Sequence, residues 1–596
     1  MRPEEYYTRK RVEIQGELQS IKKKRNGITL GKIGLFIGIC TGLYFFATTA
    51  AWQILAALGC GVVLFIVLSV WDNKVVVRIR ECGIAMLCCE TELSYLKGDC
   101  SGLATGSEYR QADHPYAIDL DILGENSLFQ HINRTITAEG KTKLAGWLLA
   151  PSRTSQEIRE RQTAVEELAG IPDWCNEFRV KGMLYAAAEN IPVDLTAWLN
   201  APPYFLHSSV WTCIYISNIL TWGAWIAVLF SWIPFLFALV LSLAQLGWVN
   251  FHSKRMRLYN KQLDGFMRMT AVYLHLIRHM EGISFQSKRL SDLKQRLTGK
   301  NQDALKAFAA LNDQLNRFEQ RGNFLANVLL NGLYTHTFYV IRDLDRWKKR
   351  YGSSVLKWVE TVHEADALVS MAVYRFNHPQ YIAPLLKTDD KWLLAEGAGH
   401  PLLGKDGGIK NDFSVQEMHQ FFIITGANMA GKSTFLRTIG VNLVLALSGN
   451  VVCSRKFEFS LMELFTSMRT TDNLARGTSY FHAELLRLKQ LVEQAEQTDR
   501  LFIILDEMLK GTNSGDKLYG SLKFLERLLQ LPVSGIVATH DLALGELAEK
   551  YPDHFQNYCF EITSTDETIH YDYKLKAGIS RNMNASLLLR KMGLIR

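Results

Sequence analysis

The sequence predicts a composite architecture: an α/β domain built around a phosphate loop at the C-terminal end, an α-helical region ahead of it, and four transmembrane helices paired as two hairpins. Three observations carry this reading. FFIIT, Phe421 to Thr425, is an apolar run of strand length followed at once by GANMAGKST and then by FLRTIGVNLVLAL, which has helical periodicity. Two long stretches, between Lys32 and Asp72 and from Leu195 to Ser253, contain no Asp, Glu, Lys or Arg. Finally, 596 residues exceed what one core holds, since domains run to roughly 100–200 residues, so the chain divides into three or four units.

Taken from the N-terminus, Tyr6–Lys24 reads as a helix, either a short coiled coil or a surface helix. The first uncharged run holds 39 residues. As one helix it would reach roughly 58 Å, nearly twice a hydrocarbon core of about 30 Å, so two helices with a turn near Thr48 to Gln53 fit better. The second run has its densest parts in VWTCIYISNILTWGAWIAVLF and IPFLFALVLSLAQLGWVNF, separated near Ser231 to Pro234, which gives a second hairpin. Trp52, Trp71, Trp211, Trp232 and Trp248 fall near the ends of these spans, where indole rings prefer the interface. Some thirty polar residues precede the first span, which does not match a cleavable signal peptide.

Charge sets the orientation. Lys22, Lys23, Lys24, Arg25 and Lys32 precede the first hairpin, Lys74, Arg78 and Arg80 follow it, and Lys254, Arg255 and Arg257 follow the second, so all long segments are expected on the cytoplasmic side of the cell (inner) membrane. A net charge of +8 suits nucleic acid, anionic lipid or both, and the juxtamembrane clusters account for much of it. The ten cysteines show neither a paired zinc spacing nor a dense disulfide framework and read as reduced thiols.

The loop Gly426, Ala427, Asn428, Met429, Ala430, Gly431, Lys432, Ser433 and Thr434 matches GxxxxGK[ST]. Its glycines let backbone N–H groups turn onto phosphate oxygens, helped by the helix N-terminus. Lys432 is expected to reach the β and γ phosphates of ATP and Ser433 to ligate Mg²⁺. Further on, LFIIL at Leu501–Leu505 ends in Asp506 and Glu507. Asp506 is assigned to the metal, directly or through water, and Glu507 to orienting and deprotonating the attacking water. A third apolar strand, GIVAT at Gly535–Thr539, ends at His540, placed to touch the γ-phosphate or that water.

These motifs resemble the MutS family of DNA mismatch-repair ATPases, within the wider ABC ATPase group. TGANMAGKSTFLR at Thr425–Arg437 is similar to that family's phosphate loop, LDEMLKGTN and ATHD to its carboxylate strand and histidine switch, and LARGTSYFHAE at Leu474–Glu484 to its signature segment. By the resemblance, Ser479 completes the ATP site of a partner subunit in a head-to-tail homodimer formed through the ATPase domains. Ile118–Pro151, Asp366–Asn377 and the GHPLL at Gly399 resemble its helical core or lever, and Ala577–Gly593 its closing segment. The family's mismatch reader carries Phe-x-Glu, absent from the first 130 residues here, and its DNA clamp is replaced by the second hairpin.

The resulting expectation is an α/β P-loop ATPase domain of ABC/MutS type at 390–596 and a helical core or lever at 118–208 and 252–389. The remainder is a basic N-terminal helix at 1–30, transmembrane hairpins at 31–72 and 209–251, and a helical linker at 73–117. Its function would be ATP hydrolysis in a dimeric composite site, with closure passed through the levers to the membrane lipids or to an unidentified protein partner. Three rivals remain. One is a membrane-tethered repair protein gripping mismatched or branched DNA with Lys288, Arg289, Lys294 and Arg296 or with Arg346, Lys348, Lys349 and Arg350. Another is a transport-associated ATPase, disfavoured by the lack of intramembrane charge, and the third is a non-hydrolysing scaffold, weakened by the presence of Lys432, Ser433, Asp506, Glu507 and His540 together.

Overall fold

The computed structural model describes residues 2–45, 51–185, 195–202, 208–255, 257–299, 302–320, 323–387, 392–404, 407–427, 429–469, 480–564 and 569–580. The chain forms two compact units, one of residues 8–90 and 176–366, the other of residues 1–7, 91–175 and 367–596. This divides the chain differently from the expected boundaries, because residues 91–175 join the C-terminal unit rather than the lever. The reason is polar and specific: Asp119 accepts hydrogen bonds from Thr466 Oγ1 (2.7 Å), Met468 N and Arg469 N, and Arg161 Nη1 donates to the carbonyl of Ser448 (2.7 Å).

The helical unit takes in α1, Pro3–Phe45, from Thr8 onward and α2, Ala51–Leu96, up to Glu90. The basic N-terminal segment is therefore no separate helix. No proline follows Pro3 in α1 and none of its glycines, Gly27 after the basic run included, adopts positive φ, so the helix runs 43 residues, about 65 Å, into the apolar run. The expected turn falls partly on residues 46–50, outside the described residues. Lys32 Nζ to Asp72 Oδ2 (2.8 Å) and Arg78 Nη2 to Glu17 Oε1 (2.7 Å) fix the pairing of the two helices. Beyond Leu96 the expected helical linker is instead a run of turns with a short 3₁₀ helix at Ser107–Tyr109. Gly98 and Gly106 there adopt positive φ, which breaks helical continuation.

The second hairpin is α3, Ser208–Leu229, and α4, Phe235–Arg255, with Ser231 at φ 59° in the turn, where the sequence places it. After α4 come the amphipathic α5, Arg257–Glu281, and α6, Ala304–Glu319; the short apolar α7, Phe324–Tyr334; and the long α8, His336–Asn377. Inside this unit Trp347 Nε1 donates to the carbonyl of Ala307 (2.7 Å), and Tyr273 packs on Phe308. Four described helices are long and apolar enough to cross a membrane: Pro3–Tyr44, Leu58–Leu96, Val210–Leu229 and Phe235–His252.

The other unit holds two sheets. In chain order its strands are β1 Leu385–Leu386, β2 Leu393–Ala398, β3 Asn411–Val415, β4 Phe421–Gly426, β5 Lys456–Phe459, β6 Glu463–Ser467, β7 Leu501–Asp506, β8 Val533–Ala538, β9 Phe555–Ser564 and β10 Ile569–Ala577. The main sheet has the order β10-β9-β4-β8-β7-β6, parallel except for the β9–β10 hairpin. A smaller sheet has the order β1-β5-β2-β3. Three helices matter for the site: α9 Lys432–Ser448, α10 Tyr480–Ala495 and α11 Ser514–Leu528. β4, β7 and β8 are continuous apolar runs because they are central strands of a parallel sheet, covered on both faces. Phe421, Ile423, Ile503, Leu505, Val537, Leu525 and Leu528 form one buried cluster with Leu491 of α10.

Candidate functional site

Register brings the three strand ends together. Ala538 of β8 lies opposite both Ile424 of β4 and Asp506 of β7, so Gly426, Glu507 and His540, each one or two residues further on, emerge side by side. Crevices at the carboxyl ends of parallel strands are where ligands bind in open α/β sheets. Here the crevice is a cavity of about 690 Å³ whose wall includes Lys432, Ser433, Thr434, Asp506, Glu507 and His540.

The loop needs glycine at two places. Gly426 has φ 147°, and a Cβ there would lie 2.6 Å from the carbonyl oxygen of Phe560. Gly431, at φ 108°, caps the start of α9 and would drive a Cβ to 3.0 Å from the Tyr573 ring. Ala427 and Ala430 lie in the loop between them, and the Ala430 N–H donates to the Ala427 carbonyl. Met429, at φ 66°, is 78% exposed. Asn428 lies outside the described residues, as do Ser479 and most of the expected closing segment.

Lys432 is 6% exposed, and its Nζ donates to the carbonyls of Gly426 (2.7 Å) and Ala427 (3.1 Å) with His540 Nε2 at 3.3 Å. Burial pushes its pKa down, opposed by the charges of Asp506 and Glu507. An ammonium held against two neutral carbonyls has room for stronger acceptors, and phosphate oxygens are such acceptors. Ser433 Oγ donates to Asp506 Oδ2 (2.6 Å), which puts two hard oxygen ligands on one point and suits Mg²⁺. His540 Nε2 stands 2.7 Å from Glu507 Oε1, and this hydrogen bond, joined by the charges of His540 and Lys510, holds the Glu507 carboxyl down at about 2. Glu507 also has φ 56°, a strained position for a side chain with a Cβ.

Two contributors are unassigned by the motifs. Glu484, 4% exposed on α10, takes backbone hydrogen bonds from Leu509, Lys510 and Gly511, the turn directly after the catalytic-type carboxylates; burial, the larger effect, raises its pKa. Arg437, one turn into α9, reaches Asp121 (3.5 Å), which also pairs with Arg469 (2.8 Å). Both residues stand inside the motif segments, so the signal was proximity to the motif rather than residue type.

The proposed basic patches are largely engaged within their own unit. Arg289 pairs with Glu364, Lys294 Nζ donates to the carbonyls of Glu281 and Ile283, and Arg296 lies 4.0 Å from Glu364. Arg346 reaches Asp343 (3.6 Å), Lys348 donates to the Ala201 carbonyl (2.9 Å) and sits over Trp198, and Arg350 lies over Tyr351.

Comparison with known proteins gives the family. MutS domain III matches residues 117–372, and MutS domain V matches residues 422–587. The chain belongs to the MutS family. Among its relatives in that family, the DNA mismatch repair protein MutS of Aquifex pyrophilus is 25% identical over 503 residues, covering 76% of this chain and 56% of the relative. The MutS protein homolog 4 of Homo sapiens is 30% identical over 267 residues, 43% of this chain and 28% of the relative. The DNA mismatch repair protein MutS of Ehrlichia ruminantium (strain Welgevonden) is 29% identical over 234 residues, 39% of this chain and 28% of the relative. The chain thus spans about a quarter to a half of the length of these MutS relatives. MutS domain V coincides with the main sheet, and MutS domain III brackets the second apolar hairpin.

Proposed function

We propose that this chain is a membrane-anchored MutS-type ATPase that binds ATP with Mg²⁺ in a composite site of a homodimer and passes closure along its helices. The observation that carries the reading is the convergence of Lys432, Ser433, Asp506, Glu507 and His540 on one cavity of about 690 Å³ at three strand ends, within the range of small-molecule sites. Lys432 would exchange its carbonyl partners for β and γ phosphate oxygens. Ser433 and Asp506 would hold Mg²⁺, which supplies neutralising charge to the phosphates. Glu507 Oε1 is capped by His540 Nε2, so accepting a proton from water requires that hydrogen bond to be exchanged for one from the water. By the family resemblance Ser479 would come from the second subunit. The expected domain limits, with the ATPase domain at about 390–596, are retained as part of this proposal, supplemented by residues 91–175 packing with it.

The membrane part rests on four long apolar helices and on the basic clusters at their charged ends. It places the helical and α/β parts on the cytoplasmic face of the cell membrane, with lipid and an unidentified protein as partners. The test is ATP turnover by the full-length protein in lipid nanodiscs, compared with K432A and E507Q; three equal rates, or none, would remove the catalytic reading.

A second reading, DNA contact, is favoured by the names of the mismatch-repair relatives. Basic side chains already paired within the helical unit weigh against direct phosphate contact. Binding of mismatched or branched duplex that falls steeply with salt would support it, and a flat response would not.

A further inference from the structure

Between Arg321 and Arg342 the chain carries no charge for 20 residues, Gly322–Ile341, a run too short on its helix to span a bilayer. Its helix α7 has 11 residues, about 16 Å, against a hydrocarbon core of about 30 Å. The distribution of its side chains is inverted relative to a soluble protein. Phe324 (77% exposed), Leu325 (69%) and Leu329 (59%) point outward, while Asn331 and Gly332 are buried. Asn331 is satisfied inside, its Nδ2 donating to Asn327 Oδ1 (2.7 Å) and its Oδ1 accepting from Thr337 N (2.8 Å).

The buried edge of α7 lies on the second hairpin. A Cβ at Gly332 would stand 3.7 Å from the carbonyl oxygen of Ser242, in the middle of α4. Thr335, in the left-handed turn that ends α7, bonds Asn218 in α3 through its hydroxyl (3.1 Å). The start of α8 then runs back along the hairpin: Phe338 packs with Ile214 and Val249, and Arg342 lies over Trp211 and donates to Tyr215 OH (2.9 Å). On both sides the flanking helices α6 and α8 are charged and touch each other through Trp347 and Ala307, so the chain leaves and returns to one side.

We propose that Asn323–Ile341 is a third membrane-embedded element, a re-entrant segment whose Phe324, Leu325 and Leu329 face lipid acyl chains beside the second hairpin. This rests on the reading of that hairpin as transmembrane, because a helix packed against its middle shares its surroundings. The inward polar groups and outward apolar ones follow from that solvent: backbone and amide groups must be satisfied within the protein, while apolar surface costs nothing against lipid. Arg342, held among Trp211, Tyr215 and Tyr339, marks the exit at the interface.

The experiment is photocrosslinking of the full-length protein in lipid vesicles, with benzoylphenylalanine placed singly at Leu329, at Val240 of α4 and at the exposed Tyr519 of α11. Acyl-chain adducts at positions 329 and 240 but not 519 are the expected result. Adducts at 240 without 329 overturn the re-entrant segment and leave the transmembrane hairpin standing. Absence of adducts at both 240 and 329 overturns the two together.

Discussion

Glu507 Oε1 and His540 Nε2 stand 2.7 Å apart, across the ends of adjacent strands that are in register at Asp506 and Ala538. The contact keeps the carboxylate ionised far into acid, with its pKa near about 2 against an ordinary 4.5. A depressed carboxyl contributes stability that is fully present above its unfolded pKa and lost as pH falls through its folded one. E507Q should therefore be less stable than wild type at pH 7, and the difference should shrink between about pH 4.5 and about pH 2. Thermal melts at several pH values check this. Turnover by E507Q should fall by roughly 100-fold or more, as loss of a general base does.

Lys432 gives a prediction of opposite sign for stability. Its ammonium is buried with its pKa lowered by desolvation, so the free protein gains little from the charge. K432M should melt at no lower temperature than wild type without nucleotide, yet fail to show the rise expected of wild type on adding ATP and Mg²⁺. A saturating ligand at about 100 times its Kd stabilises by about 2.7 kcal/mol, and that increment should vanish from calorimetric scans.

The phosphate-loop side of the site was legible because its requirements are local. Gly426 and Gly431 answer to φ, and FFIIT, LFIIL and GIVAT to burial on two faces. The grip of Glu484 on the turn at Leu509–Gly511 was not legible, since it joins segments 25 residues and more apart. The two hairpins were visible as uncharged runs, but the unbroken course of α1 was not, because the basic run Lys22–Arg25 followed by Asn26-Gly27 reads as a helix ending, while in the fold Gly27 and Gly31 keep helical φ and the helix continues. The α7 segment escaped because a mostly apolar helix of 11 residues resembles an ordinary buried helix; only the outward direction of Phe324, Leu325 and Leu329 distinguishes it.

A buried ion pair sits at the end of α2. Arg134 Nη2 lies 3.0 Å from Glu92 Oε2, both side chains are fully buried, and Asn377 Nδ2 donates to the same oxygen (2.8 Å). Removing one partner leaves the other charge buried without its ion pair, so E92A should cost about 3–5 kcal/mol in denaturant unfolding. The double replacement E92L with R134M should recover much of that loss, because the two desolvation costs disappear together.

The interior of the second hairpin supplies the last test. Asn218 in α3 bonds Gln245 of α4, Thr335 and Tyr339, and Thr221 Oγ1 donates to Gln245 Oε1 (2.6 Å). None of these side chains is charged, so amides and hydroxyls are what distinguishes the inner face of the hairpin from its exposed apolar side. In lipid the alternative partners for such groups are also within the protein, which limits each bond to about 0.6 to 2 kcal/mol. N218L should accordingly lower the detergent-unfolding midpoint modestly and loosen the α3–α4 pairing, read as faster crosslinking between cysteines placed at non-native registers. Ile219 on the same helix is 70% exposed, and I219A should leave both measurements close to wild type. Equal effects from the two substitutions would mean that apolar packing rather than the Asn218 network sets the pairing.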